Sequence, residues 1–289
     1  MLAFAGNSLL CRLALKHTAV DAATFTAIRL LSGACMLWLV VRWQHRSRAA
    51  LHAFAPPVRP MSSALAGNWL SAFALFFYAA GFSLAYVSMS AATGALLLFG
   101  AVQVTMMGYG VFRGERFQAI QVFGLALALG GLVALMLPGL AAASLFASLS
   151  MLGAGMAWGI YSLRGKAVSN GALSDPTAVT AGNFVRAVPM ALVLCLLMKS
   201  RLSLDIDGAL LAVASGALAS GVGYAVWYQV LPALASTHAA AVQLSVPVIA
   251  ALGGVVFIGE ALTLPMVAAS CAILGGIALV IFKKSAPPP

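Results

Sequence analysis

Asn7, Gln103 and Gln243 each stand inside a long apolar run, where an amide meets no water and needs a partner or a wet cavity. Aromatic residues accompany them at helical spacing. Tyr78, Phe82 and Tyr86 follow i, i+4, i+8, while Trp158, Tyr161 and Ser162 follow i, i+3, i+4, as do Tyr224, Trp227 and Tyr228. Each set therefore forms one stripe of a helix. Phe99 and Gln103 share a face with Met106, Gln243 shares one with Pro247, and Asn7 is followed by Ser8. Rings with apolar bodies and a few amides describe a pocket for aromatic or amphiphilic solutes. Ring faces or free carbonyls can also hold an ammonium without a carboxylate. The candidate substrate-binding set is Asn7, Tyr78, Phe82, Phe99, Gln103, Trp158, Tyr161, Tyr224, Trp227, Tyr228 and Gln243. The competing reading is that such rings pack helices or form interfacial belts, and it is strongest for Tyr86, near a span end. Trp158 and Trp227 lie near mid-span, where an indole N–H facing lipid is expensive.

Charge is scarce inside the runs. Arg29 and Arg186 sit about two turns within their spans; snorkelling to an interface is the favoured reading, with a carboxylate contact or a gate pairing with a loop acid as alternatives. The six acids, Asp21, Glu115, Asp175, Asp205, Asp207 and Glu260, all fall in loops or at span ends. Proton-driven pumps usually need an intramembrane group that titrates. His17, His45 and His52 lie near interfaces, and only His238, opening the ninth span, is near a pathway. A facilitator or exchanger is favoured over a proton-driven pump. Pro189 and Pro247 each remove a backbone hydrogen bond near a span middle and suit bending. His238, Arg29, Arg186, Pro189 and Pro247 are thus the coupling or gating candidates. Phosphorylated substrates want several inward cations, and no Lys stands mid-span. The pattern holds no nucleophile, base or metal cluster of the kind an enzyme needs. Cys11, Cys35, Cys195 and Cys271 are widely spaced in apolar segments with no CxxC, which reads as core packing rather than metal or redox chemistry, and no cofactor is expected.

The elements that must position these groups follow from composition. Of 289 residues, 63% are hydrophobic and 8% charged, with a mean hydropathy of +1.03, where a soluble domain carries about a quarter charged residues. Apolar runs between charges and Pro/Gly punctuation predict spans at 2–16, 23–42, 64–86, 92–112, 118–137, 147–167, 176–198, 208–231, 237–258 and 263–282. The net charge of +10 sits at the ends of these runs, which reads as membrane topology and not as nucleic-acid binding. Arg42, Arg46, Arg48 and Arg59 form the densest cluster, and alternation from there puts ten Lys/Arg inside: those four, Arg113, Arg116, Arg164, Lys166, Lys283 and Lys284. Outside fall Arg12, Lys16, Lys199 and Arg201, so both termini are expected in the cytoplasm. No basic region with a small-residue cleavage site opens the chain, and the first run, interrupted by Arg12, reads as a shortened start.

The spans repeat. Gly114-Glu115 recurs as Gly259-Glu260 and Gly130-Gly131 as Gly275-Gly276, both 145 residues later. Arg12 falls against Arg164 and Arg29 against Arg186 when small differences in loop length are allowed. Five crossings is an odd number, so the second copy enters inverted, and the arginines flanking Glu115 are lost around Glu260. Inverted repeats recur in secondary transporters, although a channel could share them. The segment ASTHAAAVQLSVPVIAALGGVVFIGE at 235–260, the following LGGIALVIF, its weaker counterpart SAATGALLLFGAVQVTMMGYGVFRGE and FTAIRLLSGA resemble the EamA repeat of the drug/metabolite transporter superfamily. GYAVWYQVL and AWGIYSL look most like the YddG-type aromatic amino acid exporters. The resemblance implies an all-α integral membrane protein of ten transmembrane helices in two inverted five-helix repeats, 1–139 and 140–289. It further implies a bacterial inner-membrane exporter of amino acids or similar metabolites, with a small-molecule substrate and membrane lipid as partners. No protein partner or nucleic acid is required. The alternatives are proton-coupled drug or metabolite efflux and a non-transporting membrane scaffold.

Overall fold

Side-chain caps start several of the helices. Asp21 accepts from the backbone N–H of Ala23 and Thr24 at 2.9 and 3.0 Å, Asn68 from that of Ser71 at 2.9 Å, and Asp175 from that of Thr177 at 2.9 Å with Pro176 at the first helical position. Each satisfies a donor that the helix itself leaves free. The computed structural model describes residues 1–51, 66–112, 114, 118–136, 144–169, 175–231, 242–243 and 245–282, with backbone alone at 48–51, 111, 135–136, 166–169 and 282. Its helices are α1 Leu2–His17, α2 Ala22–Leu51, α3 Trp69–Tyr86, α4 Ala91–Phe112, α5 Ala119–Met136, α6 Leu145–Ser169, α7 Pro176–Leu197, α8 Ile206–Val230, α9 Ser245–Ile258 and α10 Leu264–Phe282. No strand occurs among the described residues. Seven of these helices are long and apolar enough to cross a membrane, and Ala119–Ala134 and Ser245–Ile258 are shorter apolar helices. The first span extends from the expected 16 to His17. The second runs well past its predicted end at 42, because Arg and Ala favour helix and no Pro or Gly intervenes before Leu51.

Large apolar side chains, among them Leu31, Phe77, Leu192, Leu218 and Phe257, point outward, an outer surface suited to lipid and not to water. Inside, α2 packs on α7, α3 and α4 on α6, α1 on α8 and α9, and α2 on α8. Close approach comes from small residues. Gly155 and Gly159 of α6 lie against Leu98 and Thr105 of α4. The middle of α8, Ala214–Val222, widens into a π-helix. Gly216 there abuts the Arg29 carbonyl and Ser32 of α2, while Gly221 abuts Met36.

α5 and α10 pair with one another. Gly124 faces the carbonyl of Gly276, Gly131 faces Ala269 and Ile273, and buried Gln121 donates to the Val280 carbonyl at 3.2 Å. A leucine at Gly276 would push into the Gly124 backbone, so Gly276→Leu should destabilise by about 1–3 kcal/mol. Gly275, with open space beside it, should accept the same change with little effect on the melting temperature in detergent.

Candidate functional site

Arg29 is the largest fully buried side chain, 1% exposed. Its Nε donates to Ser220 Oγ at 3.2 Å and one terminal nitrogen to Tyr78 Oη at 2.9 Å. The other, Nη1, has no hydrogen-bond partner. The guanidinium carbon lies 5.1 Å from the Tyr78 ring centroid and 4.9 Å from that of Phe82. Tyr78 Oη also accepts from Asn7 Nδ2 at 3.2 Å, and Asn7 Oδ1 accepts from Ser215 at 2.6 Å. One polar thread thus joins α1, α2, α3 and the π-helical part of α8, whose two serines flank Arg29 and Asn7. The site takes its shape from this segment, because a π turn turns its side chains differently from an α-helix and is rare enough to mark function.

Around this thread stands a cage of rings. Phe4 meets Trp158, Tyr224 and Trp227 edge-on at 6.0, 5.7 and 6.0 Å. Trp158 lies 4.9 Å from Tyr78, 5.0 Å from Tyr224 and 5.6 Å from Tyr161, and Tyr161 reaches Tyr228 at 6.2 Å. Along α3, Tyr78, Phe82 and Tyr86 stack as the stripe expected from their spacing, 5.5 and 4.7 Å apart. A cavity lined by Phe4, Tyr78, Phe82, Leu98, Phe99 and Trp158 lies among them, closed to about 10 Å³, room for about one water.

The two ends of the bundle are tied differently. At the C-terminal end of α3, Arg12 donates to Glu260 Oε1 at 3.1 Å and to the carbonyls of Tyr86 and Val87 at 2.9 and 3.0 Å. Glu260 Oε2 accepts from the Ala91 N–H at 2.7 Å, a carboxylate at the positive end of α4. Four elements meet in this one cluster. On the same side, Asp21 accepts from the Ser203 N–H at 2.8 Å and returns its own N–H to the Ser203 carbonyl at 3.1 Å. At the opposite end of α3, Arg164 donates to Asn68 and Ser71, both at 3.0 Å. Asn183 accepts from the Asn68 N–H at 2.9 Å and donates to Tyr161 at 3.4 Å. Arg186 donates to the carbonyls of Ala66 and Gly182 at 2.6 and 2.9 Å.

Residues 145–282 match the model of the EamA-like transporter family. An uncharacterized protein of Pseudomonas aeruginosa is 52% identical over 284 residues, covering 98% of this chain and 92% of its own. The chain belongs to the EamA-like transporter family. It is therefore a multi-pass membrane protein of a family of small-metabolite transporters. A solved crystal structure, 20% identical, aligns with a TM-score of 0.63 over 96% of this chain and 95% of its own, a likeness of fold.

Within this EamA-like chain, Asn7, Tyr78, Phe82, Phe99, Trp158, Tyr161, Tyr224, Trp227 and Tyr228 come together in the buried centre. Gln103 and Gln243 are also buried, with Gln103 Nε2 and Gln243 Oε1 unpartnered, but neither lines the ring cavity. Arg29 does not snorkel, because α8 covers it. Tyr86 is fully buried and donates to the Ala91 carbonyl at 3.3 Å, so it forms no interfacial belt. Pro189 is exposed on α7, and Pro247 is the third residue of α9. His238 lies outside the described residues. Sequence reasoning missed Phe4, Ser215 and Ser220, none of which carried a spacing signal. Arg12 and Glu260 stood out only as topology and repeat markers.

Two outcomes follow from the ties at the Arg12 end. The Arg12 and Glu260 side chains are 12% and 8% exposed, and removing one member of a buried pair costs about 3–5 kcal/mol. Glu260→Gln should lower the melting temperature sharply, and the double variant with Arg12→Gln should recover part of the loss. Partial burial pushes the Asp21 carboxyl up, but hydrogen bonds from Thr24, Ser203 and Ala23 outweigh it and hold the carboxyl below its ordinary value. Its stabilisation is complete above the ordinary aspartate value of about 3.9 and fades as pH falls through the lowered one. Melting curves against pH should show that acid loss in the native protein and a shallower one in Asp21→Asn.

Proposed function

We propose that this chain exports amino acids, aromatic ones among them, or similar amphiphilic metabolites across a bacterial inner membrane, by alternating access and as a facilitator or exchanger. The observation that carries this reading is the ring cage of Phe4, Tyr78, Phe82, Phe99 and Trp158 at the centre of the bundle. It supplies apolar and π-bearing walls with hydroxyl and amide groups at their edge, the chemistry of an amphiphilic ligand site. At about 10 Å³ the cavity is too small for a metabolite, so loading requires the helices to part, as an occluded carrier must.

Pairwise packing supports a two-fold relation between units 1–139 and 140–289. Shifting α1–α5 onto α6–α10 exchanges α1 on α9 with α6 on α4, α1 on α8 with α6 on α3, and α2 on α8 with α7 on α3, while α2–α7 and α5–α10 map onto themselves. The 145-residue shift also turns the Gly124–Gly276 contact into Gly131–Ala269. Gly114 and Gly259 share a left-handed backbone, φ +93° and +68°, of the kind that ends helices. A five-helix repeat in a ten-helix membrane protein is necessarily inverted, and the arginine excess argues for cytoplasmic termini. In this scheme Arg12 and Glu260 close the outer end, and opening breaks their cluster. The partners are the small-molecule substrate and lipid.

Purified protein in liposomes should take up labelled phenylalanine or tryptophan with saturation and mutual competition, faster when unlabelled amino acid is loaded on the other side. Trp227→Ala and Trp158→Ala should cut flux at least tenfold, and Gln243→Ala should shift substrate preference. Unchanged preference and rate in all three would remove the site, and the absence of flux for amino acids, drugs and sugars alike would remove the transport reading.

A further inference from the structure

Arg29 presents a problem that its protein partners do not solve. A guanidinium keeps its proton in proteins, and bringing one out of water costs several kcal/mol unless an opposite charge compensates. Here the compensation is two neutral hydroxyls, of Tyr78 and Ser220, and two ring faces. Every described carboxylate is elsewhere. Glu260 is on Arg12, Asp21 and Asp175 cap α2 and α7, and Asp205 and Asp207 open α8 at the end of the bundle. Among the described residues no acid pairs with Arg29, and Nη1 is left without any partner while fully buried.

Arg186, which falls against Arg29 in the repeat, shows what a structural arginine does in this fold. It is half-buried and its nitrogen is taken up by the carbonyls of Ala66 and Gly182. Arg29 instead rests on Tyr78 and Phe82, two of the six residues that line the central cavity. A shift of these two rings would open the guanidinium to the cavity.

We infer that Arg29 is the anion anchor of the pathway and selects substrates that carry one carboxylate on an apolar or aromatic body. The inference rests on the transport reading above and narrows it. A carboxylate offers two oxygens to the guanidinium edge and supplies the missing charge. A phosphate ester, with about two charges, wants further cations, and the cage offers none among its lining residues. Asn7 holds the Tyr78 hydroxyl, which in turn takes Nη2 of the guanidinium and leaves Nη1 free.

The test compares four probes by intrinsic tryptophan fluorescence and by liposome uptake: phenylalanine, phenylalaninamide, 3-phenylpropionate and inorganic phosphate. Phenylalanine and 3-phenylpropionate should bind at least tenfold more tightly than the amide, and phosphate should compete poorly. In Arg29→Met the ratio of acid to amide should collapse toward one, whereas Arg29→Lys, keeping charge without the planar fork, should retain a reduced preference. Equal binding of acid and amide by the native protein, or an unchanged ratio in folded Arg29→Met, overturns the anchor while leaving the carrier intact. Effective competition by phosphate overturns the carboxylate assignment. If Arg29→Met does not fold, the native ratio and Arg29→Lys decide. Failure of the native protein to move any probe or any other small metabolite removes the carrier reading and the anchor with it.

Discussion

A permanent positive charge held in the buried core of the molecule constrains everything near it. Arg29 cannot discharge, so the helices around it supply oxygen to two of its nitrogens and π-density from two rings. This accounts for why Tyr78 and Phe82 lie one turn apart on α3 and why α8 presents Ser220. It also accounts for the approach of α8 to α2 through Gly216, since any β-carbon there would meet the Arg29 carbonyl. Asn7 then ties the remaining hydroxyls of this shell to α1. The π-helical segment is the local adjustment that lets one helix offer both Ser215 and Ser220 to the same buried thread.

Remoteness from this centre changes the chemistry that holds the fold. At the Arg12 end the ties are ionic and run through loop residues, with Glu260 shared between a guanidinium and the first backbone N–H of α4. At the Arg164 end the guanidinium has only neutral partners, Asn68 and Ser71, and Asn183 completes the cluster on the Asn68 N–H. α5 and α10 are held mainly by packing, because Gly124, Gly131 and Gly276 let their backbones come close, with the single amide of Gln121 on the Val280 carbonyl beside it. Three parts of one bundle are thus joined by charge, by amides and by packing.

Much of this was legible before any coordinates. Apart from the end of α2, most of the described helix limits followed from the alternation of apolar runs with charges and punctuation, because a residue in lipid has few choices but helix. The stripe Tyr78, Phe82, Tyr86 and the mid-span placement of Trp158 and Trp227 followed from periodicity, and all of these are buried together. The failures have a common cause. Whether Arg29 snorkels depends on what covers it, and the cover comes from α8, 191 residues away at Ser220. Nothing in the spacing of α2 carries that. Ser215 and Ser220 gave no signal, because the π turn that brings both to the thread has no signature in ASGALASGV. Phe4 stood alone in a short first run, so no neighbour marked it. The extension of α2 beyond Arg42 escaped a reading that equated charge with the end of a helix.

The closure of the ring cage to about 10 Å³ bears on more than the solute it is proposed to hold. A membrane that stores energy as an ion gradient is short-circuited by any continuous file of water, and each elementary charge that leaks forfeits about 2.3 kcal/mol per 100 mV. At this point of the bundle the rings leave room for about one water, and a fixed cation beside them repels protons. The same stack that would embrace a ligand would then serve, between turnovers, as electrical insulation.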